Sequence, residues 1–369
     1  MYFRMISTCL LVAFAGPVVA ADFVVEARDG AVERLLLSGV VSGGDRVLLA
    51  SGSHGQVRIV GQAFDPAVTV MSVPGGGAIL DSLTIHESRG LVVTDLTVFP
   101  RPSRSPERSL VDVDHSRDVV LERLLVTSAT HVEGWDARDW VTRAFPGVRL
   151  RGRDLTLRDS VIRVVGHGVE ARVVRGRVEG NLIEQFRGDG IRALGDQSVY
   201  SGNTIQGCVK VDGNHDDGIQ SWSVGPDGTP GQGAVRDVLI EGNVIRGGRS
   251  DGPLGCNLQG IGLFDGMFVD WIIRNNVIKV DHWHGITVMG ARNVLIENNI
   301  VVDEAPDGLG PPWITITAHK DGRRASGSLI SGNTTQPRVG GGDPLFHQPQ
   351  PGVTSRDNRV VETADEAFR

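Results

Sequence analysis

Cysteine and aromatic residues are scarce, no basic field stands out, and no stretch has a sustained helical period. Three cysteines in 369 residues are too few for a disulfide framework or a four-sulfur zinc site. With 37 Lys and Arg against 44 Asp and Glu, the net charge is −7, which argues against nucleic acid as a partner. Without 3.6-residue periodicity there are no crossover helices, so a βα fold is excluded. A nucleotide-binding loop and a recognisable serine triad are missing as well. Aromatics make up 5% of the chain and glycines number 49, the balance of an all-β protein with many turns.

One apolar run exists, at the start. Arg4 precedes Ile6 to Ala15, and Val18-Val19-Ala20 follows with small residues suited to cleavage. The run is too short to span a bilayer and no second one follows, so residues 1–21 read as a secretory leader and stable membrane insertion is not expected. The expected location is secreted or periplasmic. Cys9 leaves with the leader, and Cys208 and Cys256 remain, free to pair if neighbouring turns of chain bring them together.

What the chain has in abundance is repetition. An Asn with an apolar pair, then a polar residue, Gly and Ile or Val, recurs as Asn181-Leu182-Ile183 with Asp189-Gly190-Ile191 and Asn203-Thr204-Ile205 with Asp217-Gly218-Ile219. It returns as Asn243-Val244-Ile245 with Gly260-Ile261, and as Asn276-Val277-Ile278 with His284-Gly285-Ile286. Asn299 and Asn333 open two more copies, and His167-Gly168-Val169 belongs to an earlier one. Where no insertion intervenes the period is about twenty-two residues, the length of one solenoid coil. Short β runs between Gly, Asn and Asp turns give an all-β fold, a right-handed parallel β-helix over residues 22–340, with 341–369 as a loose C-terminal cap or tail. The Asn of each copy is expected in a left-handed turn, its amide bonding the coils above and below. Pro100 to Arg108 and His131 to Pro146 read as loops leaving the cylinder.

Stacking converts the repeat into columns. Coils about 4.8 Å apart align His167, Asp189, Asp217, Gln259 and His284, and beside them Glu170, Arg192, Gln220, Gly262 and Thr287. Extra residues in the copies that begin at Asn203, Asn243 and Asn299 would wall a groove along one side. The richest segment is Asp212-Gly213-Asn214-His215-Asp216-Asp217-Gly218-Ile219-Gln220-Ser221-Trp222, which offers carboxylates, an imidazole and an indole. Asp189, His215, Asp216, Asp217 and His284 are the candidate catalytic residues. Arg192, Lys210, Gln220, Trp222, Gln259 and Trp283 are the candidate substrate contacts. The plain alternative is that Asp before Gly is turn chemistry and that the acidic segment is a surface turn.

The opening coils, with Leu83-Thr84-Ile85 and Leu91-Val92-Val93, resemble the pectate-lyase-like superfamily. Asp189-Gly190, Asp216-Asp217-Gly218 and His284-Gly285 follow the order of elements in the polygalacturonase group, a resemblance that implies Asp189, Asp216 and Asp217 as acid and base. Arg274 and Lys279 stand only loosely for that group's later basic element, and the His-Gly comes a coil late. His215-Asp216 is also similar to the site of the mannuronan C5-epimerase and lyase group, with Gly213-Asn214 where that group has Asp-Pro. That likeness implies His215 or His284 as base, Lys210, Arg192 or a calcium ion as neutraliser, and Tyr200 as a proton donor.

These readings converge on an exported protein acting on an extended polysaccharide, with hydrolysis by carboxylates placed ahead of elimination or C5 epimerisation of a uronic-acid polymer. A non-catalytic glycan-binding or surface-structural β-helix is the third reading. No cofactor is required, and calcium is the candidate cation.

Overall fold

The computed structural model describes residues 20–101, 109–248, 254–304, 309–337 and 350–369. All but the last two residues of the expected leader, and most of the Pro100–Arg108 loop, lie outside the described residues.

The chain forms a parallel β-helix, and its register shows why the repeat has the residues it has. Ile162, Ile183, Ile205, Ile245, Ile278 and Val301 are successive partners in parallel ladders. Val169, Ile191, Ile219, Ile261, Ile286 and Ile314 form a second column in the same way. Both columns are fully buried, each side chain contributing about 1.5–3 kcal/mol of apolar burial. The glycine of the repeat lies where these columns approach. A Cβ at Gly190 would stand 2.5 Å from Ile205 Cγ2, and one at Gly218 would stand 2.6 Å from Ile245 Cγ2. Only a residue without Cβ lets the backbone cross there.

The asparagines make a buried ladder, and their conformation corrects the expectation. Asn181 donates from both its backbone N–H and its Nδ2 to Asn203 Oδ1 at 3.0 Å. The same double bond links Asn203 to Asn243 at 2.9 Å and continues through Asn276, Asn299 and Asn333 to Asn358. The left-handed residue is the one before each ladder Asn: Gly180, Gly202, Gly242, Asn275, Asn298 and Gly332 have φ between 55° and 65°. The turn and the rung are thus separate positions, because the rung must aim its amide along the stack.

Beyond residue 350 the coil continues. Val353–Arg356 pairs with Ser328–Ser331, and Arg359–Val360 with Thr334–Thr335, so another coil stands where a loose tail was expected. Near the other end, the helix Ala31–Leu37 buries Val32 and Leu36 in the core. The 131–146 loop leaves the cylinder as expected and carries a helix, Ala137–Arg143, whose first turn is fixed by reciprocal Asp136 and Asp139 caps. Its Trp140 packs with Val164, Val209, Val211 and Leu254 outside the main core. Cys208 and Cys256 are joined as a disulfide, Cα to Cα 5.6 Å, which fastens the insertion of the Asn203 copy to that of the Asn243 copy. Among the described residues no helix is long and apolar enough to cross a membrane.

Candidate functional site

The outward column expected from the repeat is present. Glu170, Arg192, Gln220, Gly262 and Thr287 are consecutive register partners. It runs further than expected, through Arg149, Asp112 and Thr84 on one side and Thr315 on the other. A recess of about 530 Å³ opens over its first part, lined by Asp112, Arg149, Arg151, His167, Glu170 and Arg192 among others. Arg149 donates to both oxygens of Asp112 at 2.9 and 2.6 Å, and Arg151 reaches Glu170 at 3.1 Å.

The second column links by hydrogen bonds. The Asp189 backbone N–H donates to His167 Nδ1 at 3.1 Å, and the Asp217 N–H donates to Asp189 Oδ1 at 3.3 Å. His167 Nε2 lies 3.1 Å from Arg192 Nη2, a nitrogen that can only donate. Burial, reinforced by the Arg192 charge, pushes the His167 pKa down to about 4. Arg192 also donates from Nε to Asp189 Oδ2 at 2.7 Å, with its guanidinium 5.5 Å from the centre of the Trp222 ring.

All three candidate carboxylates lie under the groove floor: Asp189, Asp216 and Asp217 are 1%, 3% and 0% exposed. Asp217 Oδ2 accepts from Gln220 Nε2 at 2.7 Å, while its Oδ1 is buried without a hydrogen-bond partner. That oxygen occupies space left by Gly262, where a Cβ would be 2.3 Å from it. Desolvation, then the neighbouring Asp189 charge, raises the Asp217 pKa well above the usual carboxylate value. Burial raises Asp216 too, opposed by Lys210, whose Nζ is 3.1 Å from Asp216 Oδ2. Asn214 Nδ2 donates to Asp216 Oδ1 at 3.1 Å.

Lys210, three imidazoles and an indole reach further toward the surface, with the carboxylates of Glu170, Asp212 and Asp265 also partly exposed near them. Lys210 comes from the disulfide-fastened insertion, where its N–H donates to Leu254 O at 3.0 Å. His215 is exposed. Burial, with the charges of His215 and Lys210, depresses His282 to about 4, and its ring stacks on His284 at 5.2 Å. His284 Nδ1 lies 2.8 Å from Thr287 Oγ1, which also accepts from Trp313 Nε1 at 2.9 Å. Trp283 is 42% exposed and lies parallel to Trp313 at 6.2 Å. Gln220, Trp222, Phe264 and Asp265 line a smaller recess of about 280 Å³.

Most of the expected residues are therefore neighbours, with different depths. Gln259 pairs with Asp217 and is buried, below the position of a surface contact. Tyr200 is a correction: it is buried in the core with its hydroxyl 3.4 Å from Ala171 O, and burial raises its pKa, so it cannot serve the groove as proton donor. Arg274 is engaged by Glu241 at 2.7 Å, and Lys279 lines a separate recess with Asp303 and Glu304. Arg149, Arg151 and Asp112 were not anticipated. Arg149 precedes Glu170 by one coil and was findable by spacing, whereas the long loop between Asp112 and Arg149 hides their alignment.

A family profile described as right handed beta helix region matches residues 146–310, and the fold is accordingly a right-handed parallel β-helix. No curated protein matches the chain by sequence. Among solved structures, the A-module of mannuronan C-5 epimerase AlgE6 from Azotobacter vinelandii is 16% identical with a TM-score of 0.54, covering 90% of this chain and 93% of its own. The GH136 lacto-N-biosidase of Eubacterium ramulus is 11% identical with a TM-score of 0.57, covering 93% and 68%. The PL6 family alginate lyase AlyGC is 15% identical with a TM-score of 0.52, covering 92% and 51%. At such identities the likeness establishes the fold alone.

Proposed function

We propose that the protein is an exported enzyme that acts on a uronic-acid polysaccharide by removing the C5 proton, with elimination or epimerisation as the outcome. One observation carries this reading: the three aspartates are buried, while Lys210, Arg192, His215, His282 and His284 all reach further toward solvent. C5 chemistry needs the sugar carboxylate neutralised before a base can take the adjacent proton. Arg192 and Lys210 supply the cations, and His215 or His284 supplies the base. Abstraction leaves the electron pair delocalised onto the sugar carboxylate. Breaking the C4–O4 bond gives an unsaturated sugar, the leaving oxygen taking up the proton that the imidazole base removed, whereas delivery of a proton to the other face by the second imidazole gives the C5 epimer. The exposed indole of Trp283 suits a sugar face, and the neighbouring coils suit a linear chain.

Calcium fits the aspartates poorly as they stand, because Arg192 and Lys210 already occupy Asp189 Oδ2 and Asp216 Oδ2. Hydrolysis keeps one supporting observation, the Asp217 carboxyl that burial holds toward its protonated form. The Cys208–Cys256 disulfide supports export to an oxidising compartment. The polysaccharide-acting proteins among the structural neighbours are in keeping with a glycan substrate.

The test is a screen of polyuronates and neutral glycans, reading unsaturated-uronate absorbance, C5 proton exchange and new reducing ends. Absorbance or exchange that Lys210→Ala and Arg192→Ala each lower by about 100-fold supports the reading. New reducing ends with neither signal would establish hydrolysis instead, and binding without turnover would make the protein a glycan-binding module.

A further inference from the structure

A second constellation lies away from the aspartates, on earlier coils. His86 ends the strand Ser82–His86 and is the register partner of Asp114 in the strand Val111–Glu122. Both point outward, since Leu83, Ile85, Val111 and Val113 between them fill the core. His115 follows Asp114 with φ 49°, a left-handed corner that brings its Nδ1 to 3.0 Å from Asp114 Oδ2. His86 Nδ1 is 3.8 Å from the same oxygen, and the two imidazoles stand 5.6 Å apart at 78°. One donor atom from each of the three residues lies within 4.8 Å of the others.

We propose that His86, Asp114 and His115 form a binding site for a divalent transition metal of the zinc class. Ligand atoms about 2.0–2.2 Å from a tetrahedral ion stand roughly 3.3–3.6 Å apart, so small side-chain adjustments bring these three onto one metal. Two imidazoles with one carboxylate select zinc, copper or nickel over calcium or magnesium, which prefer all-oxygen shells. The backbone holds the ligands in place. Ser88 and Ser116 form a buried rung behind the corner, the Ser88 N–H donating to Ser116 Oγ at 3.1 Å and Ser116 Oγ to Asp114 O at 2.9 Å. Glu87 Oε1 lies 3.6 Å from His86 Nε2, and the ring's other nitrogen, Nδ1, is the one that faces Asp114.

The fourth coordination position faces solvent, beside the groove. Asp112, which lines the 530 Å³ recess, is two residues back on the same face of the same strand, about 6.6–6.8 Å away. A metal here leaves a coordination position for a water or a sugar oxygen at the rim of that recess. The inference stands on these three residues alone and does not depend on the reaction proposed above.

The experiment is calorimetric titration of the tag-free, chelator-stripped chain with zinc chloride, with calcium chloride in parallel, and nitrogen hyperfine structure from copper(II) as the spectroscopic check. One equivalent of zinc should bind, with no comparable heat from calcium. His86→Ala and His115→Ala should each weaken binding by roughly tenfold or more, and His282→Ala should leave it unchanged. Thermal melts establish that the variants are folded. Zinc binding equally tight in both His86→Ala and His115→Ala, binding lost in His282→Ala, or no stoichiometric binding by the parent chain would each overturn the proposal.

Discussion

Asp217 lies one coil from Asp189 and donates its backbone N–H to the Asp189 carboxylate at 3.3 Å, yet the two carboxyl groups have different side-chain hydrogen-bond partners. Arg192 serves Asp189, while Asp217 has the amide of Gln220. Their unequal partners separate their electrostatics: burial and the Asp189 charge both disfavour ionisation of Asp217.

The sign of the resulting pH dependence follows from linkage. A carboxyl whose folded pKa is raised contributes stability that is fully present below the ordinary value of 3.8 and is lost as pH rises through the raised value. Asp217→Asn keeps the Gln220 partner without the ionisation. Denaturant midpoints measured from acid to neutral pH should fall less steeply for this variant than for the parent above 3.8. Parallel curves would mean that Asp217 ionises as freely folded as unfolded.

Histidine behaves in the opposite sense. His167 and His282 have folded pKa values near 4 against an ordinary 6.5, so their contribution is present above 6.5 and is lost as pH falls through about 4. Nuclear magnetic resonance titration of the imidazole carbon-bound protons should show both rings neutral at pH 6. A midpoint near 6.5 for either would refute its burial beside Arg192 or beside Lys210 and His215.

The asparagine ladder should act on stability alone. Asn243 Oδ1 accepts two bonds from Asn203, and its Nδ2 donates to Tyr200 O and Asn276 Oδ1. Asn243→Ala leaves several buried groups unpaired, each costing about 1–3 kcal/mol. The thermal midpoint should drop strongly, while turnover per folded molecule at low temperature should change less than twofold. A neutral effect on melting would show that the ladder is dispensable.

Removing the disulfide should loosen the wall that carries Lys210. The cross-link closes a sequence separation of 48, for which chain entropy gives about 4 kcal/mol as an upper figure. The double variant Cys208→Ala with Cys256→Ala should lose part of that stability. Amide exchange should rise around residues 208–216 and 254–258 before the stacked coils open. Uniform exchange across the chain would count against a local role.

Much of the fold was legible because a solenoid writes its geometry into spacing. The period by itself places Glu170, Arg192, Gln220, Gly262 and Thr287 in one column, since parallel stacking repeats the same contact in every coil. Copies interrupted by insertions were harder, which is why Asp112 was not aligned with Arg149. The Asn position was placed correctly in the stack and wrongly in conformation, because an amide ladder and a left-handed turn favour the same residue type.

The repeat alone determined the β-helix, its interior columns and the side of the cylinder that carries polar residues, because nearest-neighbour stacking depends only on local periodicity. Depth, pairing and charge state were decided by the tertiary structure. Only the folded chain puts Asp189, Asp216 and Asp217 below the floor, carries Tyr200 into the core and joins Cys208 to Cys256. It also brings His86 to Asp114 and His115 across adjacent coils. Those outcomes depend on where insertions and corners send side chains relative to solvent, and burial relative to solvent sets both the cost of a charge and the reach of a reactive group.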